Sequence, residues 1–262
     1  MRFTLTGNKI KFMRYFSIFT IFVLFFLTAC KPTRTFLADE KAKTYRIAQS
    51  DTLVADPTVE AMIQPYKSSL DGKMNAVIGK CAKELTAGEA VSLLGNWSSQ
   101  PILNQSIKYY KKNIDFATVN RGGLRIRSLA AGDVTRGKMY ELMPFDNALV
   151  VITTDSAGID KFIRHMGNKG GWPIAGATYV INKGSVENIK IGGQILRGGR
   201  NYSFVISDYI ADGGDNCDFL KTMKRDNLNK LMRDAFIEGV EDETRNGRVL
   251  DAVLDNRILI KN

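Results

Sequence analysis

The chain has 262 residues, 44% of them hydrophobic and 24% charged, a balance that excludes a low-complexity or wholly disordered polypeptide. Its formal charge is +10, but Arg2, Lys9, Lys11 and Arg14 lie in an acid-free N-terminus, which leaves +6 for residues 30–262. That excess suits anionic ligands or a membrane surface; its cations are scattered rather than gathered into a stripe, which argues against a nucleic-acid partner.

In chain order, Lys9, Lys11 and Arg14 precede the apolar run YFSIFTIFVLFFLTA. The run is shorter than the roughly 20 residues a spanning helix needs and suits the apolar part of an export signal. It ends in LTAC, Leu27 to Cys30, which resembles the bacterial lipoprotein box, in which the cysteine is lipidated and becomes the first mature residue. An ordinary signal peptide or a membrane anchor is the alternative. The expected organisation is a signal peptide over 1–29, lipidated Cys30 and a polar tether over 30–55, and one domain over 56–262, held by its lipid anchor at the bacterial cell envelope, on the periplasmic face or the cell surface. Cys81 and Cys217 are the other cysteines; an exported chain permits a disulfide between them, and two buried thiols fit equally well.

A strand is expected in TYRIAQS. DPTVEAMIQPYKSSL reads as a helix, with Asp56 as N-cap, Pro57 in the first turn and Pro65 as a kink; Val59, Met62, Ile63, Tyr66 and Leu70 share one face. AVIGKCAKEL is expected to be a strand, PILNQSIKYYKKN a helix entered after LLGNW, and IDFATVN a strand. DVTRGKMYELMPF reads as a short helix closed by Pro144, ALVVITT as a strand, and DSAGIDKFIRHMG as a helix with Ile159, Phe162, Ile163 and Met166 at helical spacing. ATYVINKGSVENIKIGGQIL is a hairpin turned by NKGS. NYSFVISDYIADGGD is a strand ending in a Gly pair, and Leu228, Leu231, Met232, Ala235 and Phe236 mark an amphipathic helix from Asp226 onward. Mixed strands and helices with hairpins predict an α/β layered sandwich of α+β type.

The chemistry-bearing residues sit at loop edges. The one histidine, His165, falls on an expected helix, and a hydrolytic metal centre needs several His and Asp ligands; neither a metal site nor a catalytic residue is expected in this chain. There is no Walker loop and no G-x-S-x-G elbow. NRGGLR, by contrast, follows a strand. Gly122 and Gly123 permit backbone conformations closed to other residues, so the loop can approach a ligand and aim Asn120 and Arg125 at it; Arg offers a planar fork for phosphate or carboxylate. MPFDN puts Phe145 at a helix-to-strand corner. SDYIADGGD puts Tyr209 before the turn Gly213–Gly214, with Asp215 at its end. Aromatic side chains can stack on a base, and a carboxylate can accept from ribose hydroxyls. The same residues also have plain readings: Gly-Gly turns, core aromatics, and Asp215 as a helix cap.

Four segments together resemble the C-terminal domain of the 5'-nucleotidase family: NRGGLR (Asn-x-Gly-Gly-Ile/Val-Arg), GDVTRGKMYELMPFDN, YSFVISDYIADGGD, and LLGNW as a Gly-Asn helix entry. The likeness runs over about residues 56–262. It implies a four-layer α-β-β-α sandwich with mixed sheets, in which Phe145 and Tyr209 sandwich a nucleobase, Asn120 and Arg125 hold the base edge, ribose or phosphate side, and Asp215 accepts from the ribose, with Gly122, Gly123, Gly213 and Gly214 shaping the loops. In the family a separate N-terminal metallophosphatase domain carries two metals and the catalytic His, and nothing in this sequence matches it. The Arg often found ahead of the Gly-Asn entry is missing from TAGEAVSLLGN, Tyr209 stands where Phe is usual, and Asn216 stands where Gly usually follows Gly-Gly-Asp. The resemblance therefore implies a nucleotide- or nucleoside-recognition domain that works with a separate metallophosphatase chain. That partner would hold the divalent metals, and this chain would need no cofactor of its own. The alternative is a stand-alone envelope lipoprotein that binds nucleosides or nucleotides without catalysis.

Overall fold

The computed structural model describes residues 15, 16, 18–20, 55–88 and 91–261. Cys30, the tether, the strand expected in TYRIAQS and most of the N-terminal apolar run lie outside them. No helix among the described residues is long and apolar enough to cross a membrane. Asp56–Asn262 forms one compact unit.

The first helix of the larger unit, α1 (Pro57–Met74), starts as its residues dictate: the Asp56 carboxylate accepts from the amides of Thr58 (2.8 Å) and Val59 (3.3 Å), and these bonds hold its pKa below the usual carboxylate value. The helix runs on through Pro65. Its apolar stripe, Val59, Met62, Ile63, Tyr66 and Leu70, is exposed. Periodicity says which residues share a face, not what lies against it, and α1 meets the body only near its end. There the Met74 carbonyl lies 3.0 Å from where a Cβ on Gly137 would stand.

Two small antiparallel pairs follow, β1 (Val77–Cys81) with β5 (Gly132–Thr135) and β2 (Leu85–Thr86) with β4 (Ser128–Leu129). The central sheet has five strands in the order β12 (Lys224–Leu231), β6 (Ala148–Thr154), β11 (Tyr202–Ser207), β3 (Phe116–Thr118), β7 (Ile174–Ala175). The second sheet has the order β10 (Gln194–Ile195), β9 (Ser185–Ile191), β8 (Ala177–Asn182), β13 (Ile258–Lys261). Each sheet holds one parallel pair, β11 with β3 and β13 with β8, among antiparallel neighbours. This is the mixed α/β architecture with mixed sheets that the strand and helix pattern predicts.

Both faces of the central sheet are covered, and its buried strands alternate accordingly. Val205 of β11 joins the core under α2 (Leu93–Tyr110) and α6 (Met232–Arg245). Its neighbours Phe204 and Ile206 join the core with α4 (Ser156–Asn168) and the second sheet. In that core Phe162 of α4 stacks on Phe204 at 4.7 Å, and Gly167 lies against Val186 of β9. Cys81 belongs to the first core and Cys217 to the second; both thiols are buried and free, so no disulfide joins them.

Three elements differ from the sequence reading. α2 begins at Leu93 rather than at Pro101, because the Ser92 hydroxyl caps it by accepting from the Gly95 amide at 3.0 Å; Pro101 sits inside, where its ring fills the space left by Gly239 of α6. Gly132–Thr135 is a strand paired with β1, and α3 (Arg136–Leu142) starts after it with Thr135 as cap. Residues 224–231 form an edge strand beside β6, and α6 begins only at Met232. Leu228 and Leu231 fit a helical period, but backbone pairing with Val150–Thr153 and Ala148 decides their conformation.

Candidate functional site

The site follows from strand direction. β3 and β11 run parallel, so the loops after them leave the same edge of the sheet; β6 runs antiparallel to β11, so the loop before it arrives at that edge too. Three distant segments, Asn120–Arg125, Phe145–Asn147 and Tyr209–Asp215, therefore converge beyond the carboxyl ends of two adjacent parallel strands, a position where open sheets commonly bind ligands. They enclose a cavity of about 340 Å³ lined by Asn120, Gly122, Gly123, Arg125, Phe145, Asn147, Tyr209 and Asp215. All the expected site residues except Gly213 and Gly214 line it.

Phe145 and Tyr209 are 40% and 48% exposed, whereas most of the other described aromatics within residues 56–262 are buried. Among the described residues neither ring stacks on another aromatic, and both line the cavity. The Arg125 guanidinium lies 5.6 Å from the Phe145 ring centroid, and its Nη1 donates to the Gly122 carbonyl at 3.3 Å. Tyr209 follows the cap of a one-turn helix, α5 (Asp208–Ala211), where the Ser207 hydroxyl accepts from Ile210.

Asp215 is the hub. Its Oδ2 accepts from Asn120 Nδ2 at 2.9 Å and its Oδ1 from the Tyr209 hydroxyl at 3.1 Å. A carboxylate offers about four acceptor positions, so two remain for a ligand's hydroxyls. Asn120 is 6% exposed, and the bond to Asp215 offsets the cost of burying its amide. Asp215 and Asn216 both adopt left-handed backbone, with φ of 52° and 67°. Non-glycine residues rarely do this, but Asn and Asp do it most readily, which accounts for Asn216 in a place where the family has Gly. The strained turn is pinned from below: His165 Nε2 donates to the Asp215 carbonyl at 3.0 Å, with its ring edge-on to Trp172 and Phe219.

The glycines act differently from the expectation. Gly122 and Gly123 do not have positive φ; they close a 3₁₀ turn over Arg121–Gly123, in which the Gly123 amide bonds the Asn120 carbonyl. What Gly123 supplies is closeness, since a Cβ there would stand 2.9 Å from Asn120 Oδ1. Gly213, with φ of 94°, makes the turn, and a Cβ on Gly214 would meet the Tyr209 ring and carbonyl at 2.5 Å. Gly214 thus seats Tyr209 from behind, and neither of these two glycines lines the cavity.

Two residues went unread in the sequence. Asn147 lines the cavity from the same MPFDN motif as Phe145; its place in that motif was the available signal. Arg233, at the start of α6 and 6% exposed, holds the Phe145 corner from behind. Its Nη1 donates to the Met143 and Phe145 carbonyls (3.3 and 3.2 Å), its Nη2 to Asp146 (2.6 Å), and its guanidinium lies 4.1 Å from the Tyr140 ring centroid. In sequence it reads as the polar face of an amphipathic helix. Among the described residues no cluster of three or more His, Cys, Asp or Glu side chains could hold a metal ion.

A model of the family described as 5'-nucleotidase, C-terminal domain, matches residues 77–222, more than half of the chain. Among curated proteins, the chain is 26% identical over 187 residues to Protein UshA of Yersinia enterocolitica, covering 68% of this chain and 33% of that protein. It is 25% identical to a 5'-nucleotidase of Vibrio vulnificus, covering 66% and 32%, and 25% identical to a cell wall protein of Listeria monocytogenes, covering 88% and 32%. The chain thus spans about a third of the length of the curated relatives it matches. In fold it resembles the crystal structure of a 5'-nucleotidase precursor from Thermus thermophilus (TM-score 0.66, 23% identity, 78% of this chain and 43% of that one) and an NAD nucleotidase of Haemophilus influenzae (TM-score 0.60, 15% identity, 79% and 42%).

Proposed function

The chain belongs to the 5'-nucleotidase C-terminal domain family, and from that premise we propose that it is the substrate-recognition half of a nucleotide hydrolase whose phosphatase chemistry resides on a separate metallophosphatase chain. The observation that carries the reading is the slot itself: two half-exposed aromatic rings, Phe145 and Tyr209, beside an Asn120–Asp215–Tyr209 hydrogen-bonded set. The rings clamp the base, Asn147 and Asn120 face its edge or the ribose, and Asp215 accepts from the ribose hydroxyls. Arg125, stacked over Phe145, moves with the base or meets its phosphate. Holding the nucleoside here fixes the ester relative to the partner, so binding energy in this chain lowers the barrier on the other.

The one histidine is engaged with the Asp215 backbone, so it is not spare for chemistry, and divalent metals belong to the partner. The exposed apolar stripe of α1 immediately precedes the matched residues; it is the surface this reading assigns to that partner. Lipidation at Cys30 would hold the protein at the cell envelope, and loss of membrane association in Cys30→Ala is the measurement that checks it.

The central test is to purify the full chain, add Mn²⁺, Zn²⁺ or Ca²⁺, and assay phosphate release from AMP alongside calorimetry with adenosine. Adenosine binding without turnover is expected. Robust turnover by the chain alone would overturn the division of labour, and absence of any nucleoside or nucleotide binding would overturn the slot.

A further inference from the structure

We propose that the Tyr209 hydroxyl sets the sugar specificity of the slot: by bonding Asp215 from within the protein, it lets the site hold nucleosides that lack a ribose hydroxyl, 2'-deoxynucleosides among them. This deepens the reading above and rests on it. The bond comes from a residue particular to this chain, because Phe, usual at this place in the family, offers the same stacking face and no donor.

The turn between the two residues brings the hydroxyl to the carboxylate. Tyr209 and Asp215 are six positions apart, and the chain reverses at Gly213, whose φ is 94°. Gly214 has no side chain where the ring lies: a Cβ there would stand 2.5 Å from Cε1 of Tyr209 and 2.6 Å from Cζ, the carbon that bears the hydroxyl. The hydroxyl end of the ring therefore rests on the turn, and its oxygen lies 3.1 Å from Asp215 Oδ1. Asp215 is fixed on two other sides. His165 donates to its backbone carbonyl at 3.0 Å, and buried Asn120 donates to Oδ2 at 2.9 Å. Asn120 is itself crowded by Gly123, whose Cβ position lies 2.9 Å from Asn120 Oδ1.

A site rejects a sugar that lacks a hydroxyl chiefly when the missing group leaves a polar partner unpaired in the complex. Asp215 is not left so. Each of its oxygens keeps one neutral donor from the protein whether or not a sugar is present. A ribose hydroxyl adds a bond on a remaining lone pair, and its removal returns the carboxylate to the paired state of the empty slot. A ribose donor at Oδ1 also shares that oxygen with the Tyr209 donor, and the two partly positive protons repel across it, so the ribose gains less there than at a bare carboxylate oxygen. Without the Tyr209 hydroxyl, Oδ1 has no side-chain donor among the described residues. The ribose hydroxyl then becomes the donor it depends on once a base covers the slot, and a deoxy sugar leaves it short.

The test compares adenosine, 2'-deoxyadenosine and 3'-deoxyadenosine by calorimetry on the full chain, wild type and Tyr209→Phe. Wild type is expected to bind both deoxynucleosides within about tenfold of adenosine, the range for one hydrogen bond that leaves nothing unpaired. In Tyr209→Phe the gap between adenosine and at least one deoxynucleoside is expected to widen by about fivefold or more. The ratio is the deciding quantity, because a merely structural loss at Tyr209 would weaken all three ligands alike. A smaller widening, an unchanged ratio or a narrowed one overturns the role given to the hydroxyl and leaves the slot standing, as does a wild-type gap beyond about tenfold for both deoxynucleosides. Failure of wild type to bind any of the three overturns the slot, and this proposal with it. Tyr209 is half-exposed and Phe keeps its ring, so the variant is expected to keep the wild-type fold, checked by circular dichroism.

Discussion

Asn120 and Asp215, 95 positions apart in the chain, meet through a 2.9 Å hydrogen bond that ties the loop after β3 to the loop after β11. Asn120 is buried, and Asp215 has its second oxygen on the Tyr209 hydroxyl, so this one contact orders both walls of the slot. Asn120→Ala removes the donor and leaves Asp215 short of a partner at the edge of the core. A loss of about 1–3 kcal/mol in unfolding free energy is expected, together with weakened nucleoside binding. Denaturant unfolding and calorimetry on the same preparation check it; an unchanged unfolding midpoint would contradict the role given to the bond.

The two rings should be separable from the hydroxyl. Phe145→Ala and Tyr209→Ala are each expected to cost about 1–3 kcal/mol of adenosine binding, the range for base–aromatic stacking. Their combined effect should fall short of the sum, because both rings act on one base. Tyr209→Phe keeps the stacking face and loses only the bond to Asp215, so its cost should be the smallest of the three.

Arg233 and Asp146 form an ion pair with very unequal surroundings: the Arg side chain is 8% exposed and the Asp 80%. Removing the exposed partner, Asp146→Ala, should change stability by less than about 1 kcal/mol. Arg233→Ala strips the donors from the Met143 and Phe145 carbonyls and is expected to cost about 1–3 kcal/mol or more. It should also weaken adenosine binding, since Phe145 loses its support. Equal effects of the two substitutions in urea unfolding would refute the asymmetry.

Alkaline pH should weaken the fold. Burial, then the charge of Asp215, pushes the Cys217 thiol from 9.0 up to about 12. The hydrogen bond to Asp226, then burial, pushes the Tyr110 phenol from 10.0 up to about 12. Both groups stay neutral in the folded chain at a pH where the unfolded chain has lost their protons. Their contribution is complete below about pH 9 and is lost as pH rises toward 12. Urea midpoints at pH 8 and pH 11 measure this, and Tyr110→Phe should narrow the difference.

Gly214→Ala tests the seat of Tyr209. The added methyl would stand 2.5 Å from both the ring and the backbone carbonyl of Tyr209, and backbone cannot yield cheaply. The ring should shift and adenosine affinity fall, with about 1–3 kcal/mol lost from stability as overpacking. Wild-type affinity in this variant would show that the ring position is set elsewhere.

Where a signal is local, the sequence carried it. Asp56 and Asp155 cap their helices because a short carboxylate reaches the next amides without help from the fold. The hairpin at Lys183–Gly184 turns where both residues take positive φ. Within the loops, NRGGLR, MPFDN and YIADGGD each supply residues that line or seat the slot, with Asn147 the member left unread.

Long-range features decided the rest. Residues 224–231 have leucines at helical spacing, yet they lie in a sheet because β6 offers an unpaired edge. The stripe on α1 is as periodic as a core face, yet no part of the larger unit covers it. Arg233 looks like a solvated helix residue until the Phe145 corner folds over it. Each of these depends on which backbone or side chain arrives from far along the chain. So the amino-acid order determined the helix caps, the turns and the loop residues that line the cavity, because those rest on groups a few bonds apart. Only the parallel pairing of β3 with β11, with β6 antiparallel alongside, decided that three such loops share one edge and enclose a slot, because strand pairing joins groups that no local pattern relates.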